Sequence, residues 1–345
     1  CYAPRRAPAE LGWQARVDLA EGLPGAVEGA PAPAPAPAAK APARPAWAAG
    51  PEMEPAACPG SSWERFIEDH DEGIGSVYER FVLNRVIDDA LAATGSTSIL
   101  HGPAFGMAGV PGLDAIFQAR AGLPVGLVDV NADRLAAVVG LWDELGCRPD
   151  ATWVAPWPDT SGWADVVPAG RYDLVLSFAA LWWCARPWEV LAAQARWAGK
   201  AVLLCIPNRN VFMQVRSRFW HQDMFEHLNP IALDFDTVVR EAGAVGLELA
   251  DTGLFDIPPF PDTAISIKEL IPAFGRRTSA QAAEGEGEAA WRWEIVPYLK
   301  GEDPGLEDRI AKIGFLEDRV GGLVARKWAH HRYYLFVPSS ATQRR

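Results

Sequence analysis

The residues most able to do chemistry fall in three places. The first is Leu100-His101-Gly102-Pro103-Ala104-Phe105-Gly106-Met107-Ala108-Gly109, with glycines at 102, 106 and 109. Glycine reaches positive φ without steric penalty and lets a ligand come close to the backbone. Where such a turn joins a strand to a helix, the first N–H groups of the helix are free to receive a ligand. A tight strand-to-helix connection would use the same residues for geometry alone. The second place is Asp129, 27 positions after Gly102, in the apolar run Pro124–Val130. A carboxylate there can accept both hydroxyls of a ribose, each charge-assisted bond being worth roughly 1.5–3 kcal/mol. It can also cap the following helix, since Asp is a favoured N-cap residue. The third place lies after the run Lys200–Ile206 and carries Asn208, Arg209, His221, Glu226, His227 and Asn229. His221 and His227 are six apart, so on a regular helix they point about 120° away from each other. That arrangement does not favour a shared metal, and no metal site is expected. Either histidine could act as a general base, because an ordinary imidazole titrates near about 6.5. Both could equally be surface residues at a helix end.

These residues need elements to position them. Thr97–His101, Pro124–Val130, Ala151–Ala155, Tyr172–Phe178 and Lys200–Ile206 read as five strands, and Leu247–Phe255 and Arg332–Val337 as two more. Helices are predicted over Trp63–Leu91 (broken near Gly73 and Gly75), up to Ala121, over Asn131–Leu145, up to Trp197, and over Asp234–Ala242. Continuous Val/Leu/Ile runs alternating with helices predict a parallel sheet covered on both faces, a doubly wound α/β architecture. The last two strands show no full helix between them, which predicts an antiparallel edge.

Upstream, Pro24–Gly60 holds ten prolines in 37 positions. Proline fixes φ and lacks an amide donor, so this stretch reads as a semi-rigid linker rather than a packed element. Residues 1–23 carry Leu11, Trp13, Val17 and Leu19, enough apolar surface to dock on a partner protein. The predicted organisation is a Pro/Ala arm over 1–60, an α/β domain over 61–338 with a lid insertion at about 258–330, and a tail over 339–345. The domain is expected to open at Ser61, an N-cap residue before a helix. Gln281–Ala290 reads as a surface loop.

Composition narrows the partners. With 44 acidic against 32 basic side chains the net charge is -12, which argues against a nucleic-acid-binding surface, and no nucleic-acid partner is expected. No run is long and apolar enough for a membrane span. The five cysteines form no CxxC pair, a pattern suited to a reducing cytoplasm. Cys184 and Cys205 read as small buried apolar residues, and His330-His331 as structural rather than metal-binding.

The run Ile99–Gly109, then Asp129, then Tyr172–Phe178, then Lys200–Pro207 resembles the class I S-adenosylmethionine-dependent methyltransferases, over roughly residues 63 to 337. The helix containing Tyr78–Leu83 is similar to the one that covers the cofactor in that family. The resemblance implies a seven-stranded, mostly parallel Rossmann-like sheet and S-adenosylmethionine as cofactor. Gly102, Ala104 and Gly106 would then face its methionine part, with Asp129 and Asn131 at the ribose and Trp157 closing on the adenine. Ser177 and Phe178 would flank the methyl group. Leu100 and His101 stand where the family carries an acid, and Ala104 where it carries a middle glycine. Trp182 and Trp183, with Trp188, follow the fourth strand, where the family receives its acceptor; they line that site or pack a helix on the sheet. Three functions follow. The first is methyl transfer to a small molecule, with Asn208 and Arg209 near the acceptor. The second is a binding or assembly subunit that has lost the chemistry. The third, a nicotinamide-dependent reductase, lacks the expected Tyr-x3-Lys pair.

Overall fold

The computed structural model describes residues 64, 67–68, 72–105, 109–208, 229–257, 294–320 and 322–339. The arm over 1–60, the expected cap at Ser61, Gly106, Arg209, His221, His227, most of the expected insertion before residue 294 and nearly all of the tail lie outside them. Seven strands form one sheet in the order β3-β2-β1-β4-β5-β7-β6. They are β1 (Ile99–His101), β2 (Val125–Asp129), β3 (Ala151–Val154), β4 (Tyr172–Phe178), β5 (Ala198–Pro207), β6 (Leu247–Phe255) and β7 (His331–Pro338). The first five pair in parallel, and β7 runs antiparallel between β5 and β6. The expected antiparallel pairing is present, but β7 is internal and β6 forms the edge. Its connection also differs from expectation, since α6 (Ile295–Leu299), α7 (Leu306–Arg319) and α8 (Gly322–Trp328) separate β6 from β7.

The strands are apolar on both faces because both are covered. Leu174, Leu176, Ala201 and Leu203 belong to one core, and Val175, Val202 and Leu204 to the other, the period-two alternation of a strand. The first core receives α1 (Gly73–Thr94), α2 (Ile116–Arg120), α3 (Ala132–Glu144), α6 and α7; the second receives α4 (Pro187–Trp197) and α5 (Phe235–Ala244). Trp142, Trp163, Trp182 and Trp197 are fully buried, with Trp163 and Trp197 stacked 6.3 Å apart.

The expected break near Gly73 is present, with residues 64 and 67–68 helical, Glu72 non-helical and Gly73 at a φ of 77°, but helix α1 has no break at Gly75. It begins at Gly73, runs unbroken through Gly75, and ends at Gly95, whose φ of 60° suits a left-handed stop. Gly73, Gly75 and Ser76 are buried, so small size serves close packing in this turn, and the positive φ of Gly73 sets the start of the helix.

Gly126 in β2 shows how tightly the sheet is packed. A Cβ there would lie 2.5 Å from the Tyr172 hydroxyl, which donates to Asp150 at 2.7 Å, and 3.0 Å from the Trp153 ring. Gly126→Ala is expected to lower unfolding stability by about 1–3 kcal/mol, the usual cost of overpacking. A urea midpoint unchanged from wild type would contradict this packing.

Candidate functional site at the carboxyl edge of the sheet

All five parallel strands point the same way, and β7 begins where β5 and β6 end: His331 pairs with Pro207 and with Phe255. The carboxyl edge therefore gathers His101, Asp129, Val154, Phe178, Pro207, Phe255 and His331. Chain order reverses at β1, with β2 on one side and β4 on the other, which is where open α/β sheets hold ligands. Among the described residues, the two non-glycine positions with positive φ, Ala179 at 47° and Asp256 at 63°, both stand on this edge. Each such conformation costs about 1–3 kcal/mol and persists only where its surroundings impose it.

The β1–β2 half is filled by the chain's own side chains. Asp129 is 1% exposed and pairs with the equally buried Arg134, accepting from Nε at 2.8 Å and Nη2 at 2.5 Å. It also accepts from the Asn131 N–H at 2.9 Å. Asn131 is the N-cap of α3, accepting from the Arg134 N–H. The Arg134 guanidinium lies 5.6 Å from the centre of the Phe105 ring, and Phe105 meets Trp157 edge-on at 5.7 Å. Gly102 lies tight against protein: a Cβ there would sit 3.2 Å from Trp197 and from Val128. Its carbonyl accepts from Gln194 at 3.0 Å.

Behind this turn lies a buried charge network. Arg80 of α1 donates to Glu72 at 2.7 Å, to Asp114 at 2.9 Å and to the Val110 carbonyl at 3.2 Å. Glu72 also accepts from the Val110 N–H. Asp114 lies 3.2 Å from Nε2 of His101, which is fully buried in β1. Burial holds the His101 imidazole below its ordinary value, outweighing the pull of Asp114 and Asp129.

The β4–β7 half is a second polar cluster. His331 is sandwiched between Phe178 at 4.9 Å and Phe255 at 5.5 Å. Its Nδ1 lies 3.3 Å from Asp256 Oδ2 and 3.3 Å from Glu79 Oε2, while His330 Nδ1 lies 3.2 Å from the same Asp256 oxygen. Burial pushes the Asp256 carboxyl up, but hydrogen bonds and charge from His330 and His331 hold it below the usual carboxylate range. Glu317 fixes the Asp256 backbone, accepting from the N–H of Asp256 and of Ile257 and from the Tyr78 hydroxyl at 2.6 Å. Burial raises the Glu317 carboxyl.

No protein-family profile matches the sequence, and no curated protein matches it. Solved structures do. A protein from Galdieria sulphuraria assigned as a sarcosine dimethylglycine methyltransferase aligns at TM-score 0.44 and 14% identity, covering 74% of this chain and 85% of its own. Magnesium protoporphyrin IX methyltransferase from Synechocystis PCC 6803, with bound SAH, aligns at 0.39 and 16%, covering 55% and 80%. A SAM-dependent methyltransferase from Archaeoglobus fulgidus aligns at 0.40 and 10%, covering 74% and 94%. The deciding observation is the strand order 3-2-1-4-5-7-6 with β7 antiparallel. This is a Rossmann-like, doubly wound α/β sheet with one antiparallel strand inserted near its edge.

Within this fold, His101, Gly102, Ala104, Asp129, Asn131 and Trp157 stand at the carboxyl ends of β1, β2 and β3, and Ser177 and Phe178 end β4. Ser177 is fully buried and its hydroxyl has no hydrogen-bond partner. Three acceptor candidates have packing or hydrogen-bonding roles within the chain. Trp182, 1% exposed, belongs to the α4-side core, and Trp183 packs against it edge-on at 5.9 Å. Asn208 donates to the carbonyls of Arg326 and Ala329, closing the end of α8. Sequence reasoning missed Glu72, Glu79, Arg80, Asp114, Arg134 and Asp256, all charged groups in predicted helices, turns or strand ends. The one local signal was the five-residue spacing of Asp129 and Arg134 across a strand-to-helix turn.

A histidine buried below its ordinary pKa stabilises the fold above its unfolded value and loses that contribution as pH falls. Urea stability of the wild type is therefore expected to decline as pH drops below about 6.5, with a flatter decline in His101→Leu. Equal slopes in the two proteins would show that His101 contributes nothing to the acid sensitivity.

Proposed function

We propose that the protein is an S-adenosylmethionine-dependent methyltransferase acting on a small molecule, with the adenosyl group lodged at the carboxyl ends of β1 and β2. The observation that carries this reading is the placement of Asp129: last residue of β2, beside the β1 turn, at the reversal of strand order. When bound, the cofactor supplies a methyl group on a sulfonium, a carbon already activated for in-line displacement. The chain's share is to hold donor and acceptor at near-attack distance, an effect worth roughly 7–11 kcal/mol.

One side chain governs the fit. A carboxylate offers about four acceptor positions, and Asn131 and Arg134 take three of those on Asp129. With the guanidinium in place no ribose diol is accommodated; with it withdrawn, two oxygens regain acceptor capacity. Cofactor binding is thus coupled to breaking the Asp129–Arg134 pair, a change that ligand binding has to drive. A second reading rests on the same pair. If it never opens, and with Leu100 and His101 at the places of the family's acid, the chain is a binding or assembly subunit without methyl transfer.

Calorimetric titration with S-adenosylmethionine, S-adenosylhomocysteine and NADPH separates these readings. Micromolar binding of the two sulfur nucleotides is expected, weakened at least about tenfold in Asp129→Asn, or about 1.4 kcal/mol. Arg134→Met removes the competitor and is expected to bind S-adenosylhomocysteine at least as tightly as wild type. It is also expected to be less stable without ligand, since an unpaired buried carboxylate costs about 3–5 kcal/mol. Silence from folded wild type and folded Arg134→Met towards both sulfur nucleotides would sink the enzyme reading and leave the second. Binding of NADPH alone would indicate a reductase.

A further inference from the structure

The second polar cluster, at the β4–β7 half of the edge, carries chemistry that the adenosyl reading does not use. Glu79 of α1, Asp256 after β6 and His331 at the start of β7 bring one ligand atom each within 4.8 Å of one another, and all three residues are buried. We infer that Glu79, Asp256 and His331 form a binding site for a divalent transition-metal ion, with Zn2+ the best match to the donor set. The site is independent of what binds at β1–β2.

Three observations carry the inference. The first is a mismatch in protons. His331 Nδ1 faces two carboxylate oxygens at 3.3 Å each, and one N–H can be directed at only one of them. A metal satisfies the nitrogen lone pair and both carboxylates together. The second is distance. Charge-assisted N–H···O bonds run about 2.7–2.9 Å, shorter than these contacts. Donors about 2.0–2.1 Å from a tetrahedral ion lie about 3.3–3.4 Å apart, which these contacts match. The third is unsatisfied acceptor capacity. Asp256 Oδ1 is buried without any hydrogen-bond partner, although Asp256 is 1% exposed. A buried acceptor left unpaired costs about 1–3 kcal/mol, and coordination of the cation by both Asp256 oxygens would remove that cost.

The surroundings suit the same role. His330, 3.2 Å from Asp256 Oδ2, and Glu317, which holds the Asp256 N–H, fix the carboxylate in the way outer partners fix metal ligands. The mixed nitrogen and oxygen set selects zinc or a neighbouring transition ion over Mg2+ or Ca2+, which take oxygen ligands. Three protein ligands leave a fourth position for water. Because the ligands come from α1, β6 and β7, the ion would fasten the N-terminal helix of the domain to its C-terminal strand pair.

The test uses the full chain, stripped with EDTA and titrated with Zn2+ by calorimetry, with Co2+ absorption as a readout of geometry. One Zn2+ per chain is expected, with a rise in melting temperature that EDTA reverses and visible d–d bands of tetrahedral Co2+. Glu79→Gln and Asp256→Asn are expected to weaken Zn2+ binding at least about tenfold while keeping the wild-type circular dichroism. If Asp256→Asn does not fold, Glu79→Gln and the wild-type melting shift decide. Failure of Zn2+ and Co2+ to bind the folded wild type would overturn the inference, as would binding that Glu79→Gln leaves unchanged. Neither result bears on S-adenosylhomocysteine affinity, so the two readings fail separately.

Discussion

The site side of the fold depends on a guanidinium that has no route to water. Arg80 is 3% exposed, and a buried cation is tolerable only where opposite charge and hydrogen bonds surround it. Glu72, Asp114 and the Val110 carbonyl supply them, so α1 and the turn after β1 cannot separate without stranding a charge. The consequence spreads along the helix. Tyr78 reaches Glu317 on α7, Glu79 reaches His331 on β7, and Arg80 reaches the β1 turn. Three successive residues of a helix sweep about 200° around its axis. The first turns of α1 are therefore buried almost all round, and the helix is a central strut rather than a lid laid over the sheet.

That strut divides the carboxyl edge into two chemically unlike halves. On the β1–β2 side an arginine neutralises a single carboxylate, and aromatic rings of Phe105 and Trp157 complete the filling. On the β4–β7 side the carboxylates of Glu79 and Asp256 share the imidazoles of His330 and His331. The first half joins a carboxylate to a guanidinium; the second joins carboxylates to imidazoles. Their separation keeps the two polar clusters on different strands of one sheet edge.

What was legible in the sequence follows from the range of the interactions. Strands β2, β4 and β5 are continuous apolar runs because both faces are buried, so a local pattern suffices to find them, and with the helices between them the doubly wound sheet follows. Asp129 and Asn131 were legible as candidates because a strand end followed by a helix start is a local event. Their commitments were not: Asn131 is spent on capping and Asp129 on Arg134, both of which depend on how the first turn of α3 closes. Least legible was the Glu79–Asp256–His331 cluster. Asp256 and His331 are 75 residues apart, and only the insertion of β7 between β5 and β6 brings them together. For the tryptophans after β4 the sequence allowed either a pocket lining or helix packing on the sheet, and burial favours packing for Trp182.

The internal position of β7 also sets an order of assembly during synthesis. Strands β5 and β6 have each other's antiparallel neighbour in common, and that neighbour is made last. Until residues 331–338 leave the ribosome, the backbone groups of Ala198–Pro207 on one side and Leu247–Phe255 on the other are open strand edges. Open edges of this kind pair readily with other chains. A nascent chain therefore spends the translation of about eighty residues with a gap between β5 and β6 that is open to other chains until β7 fills it.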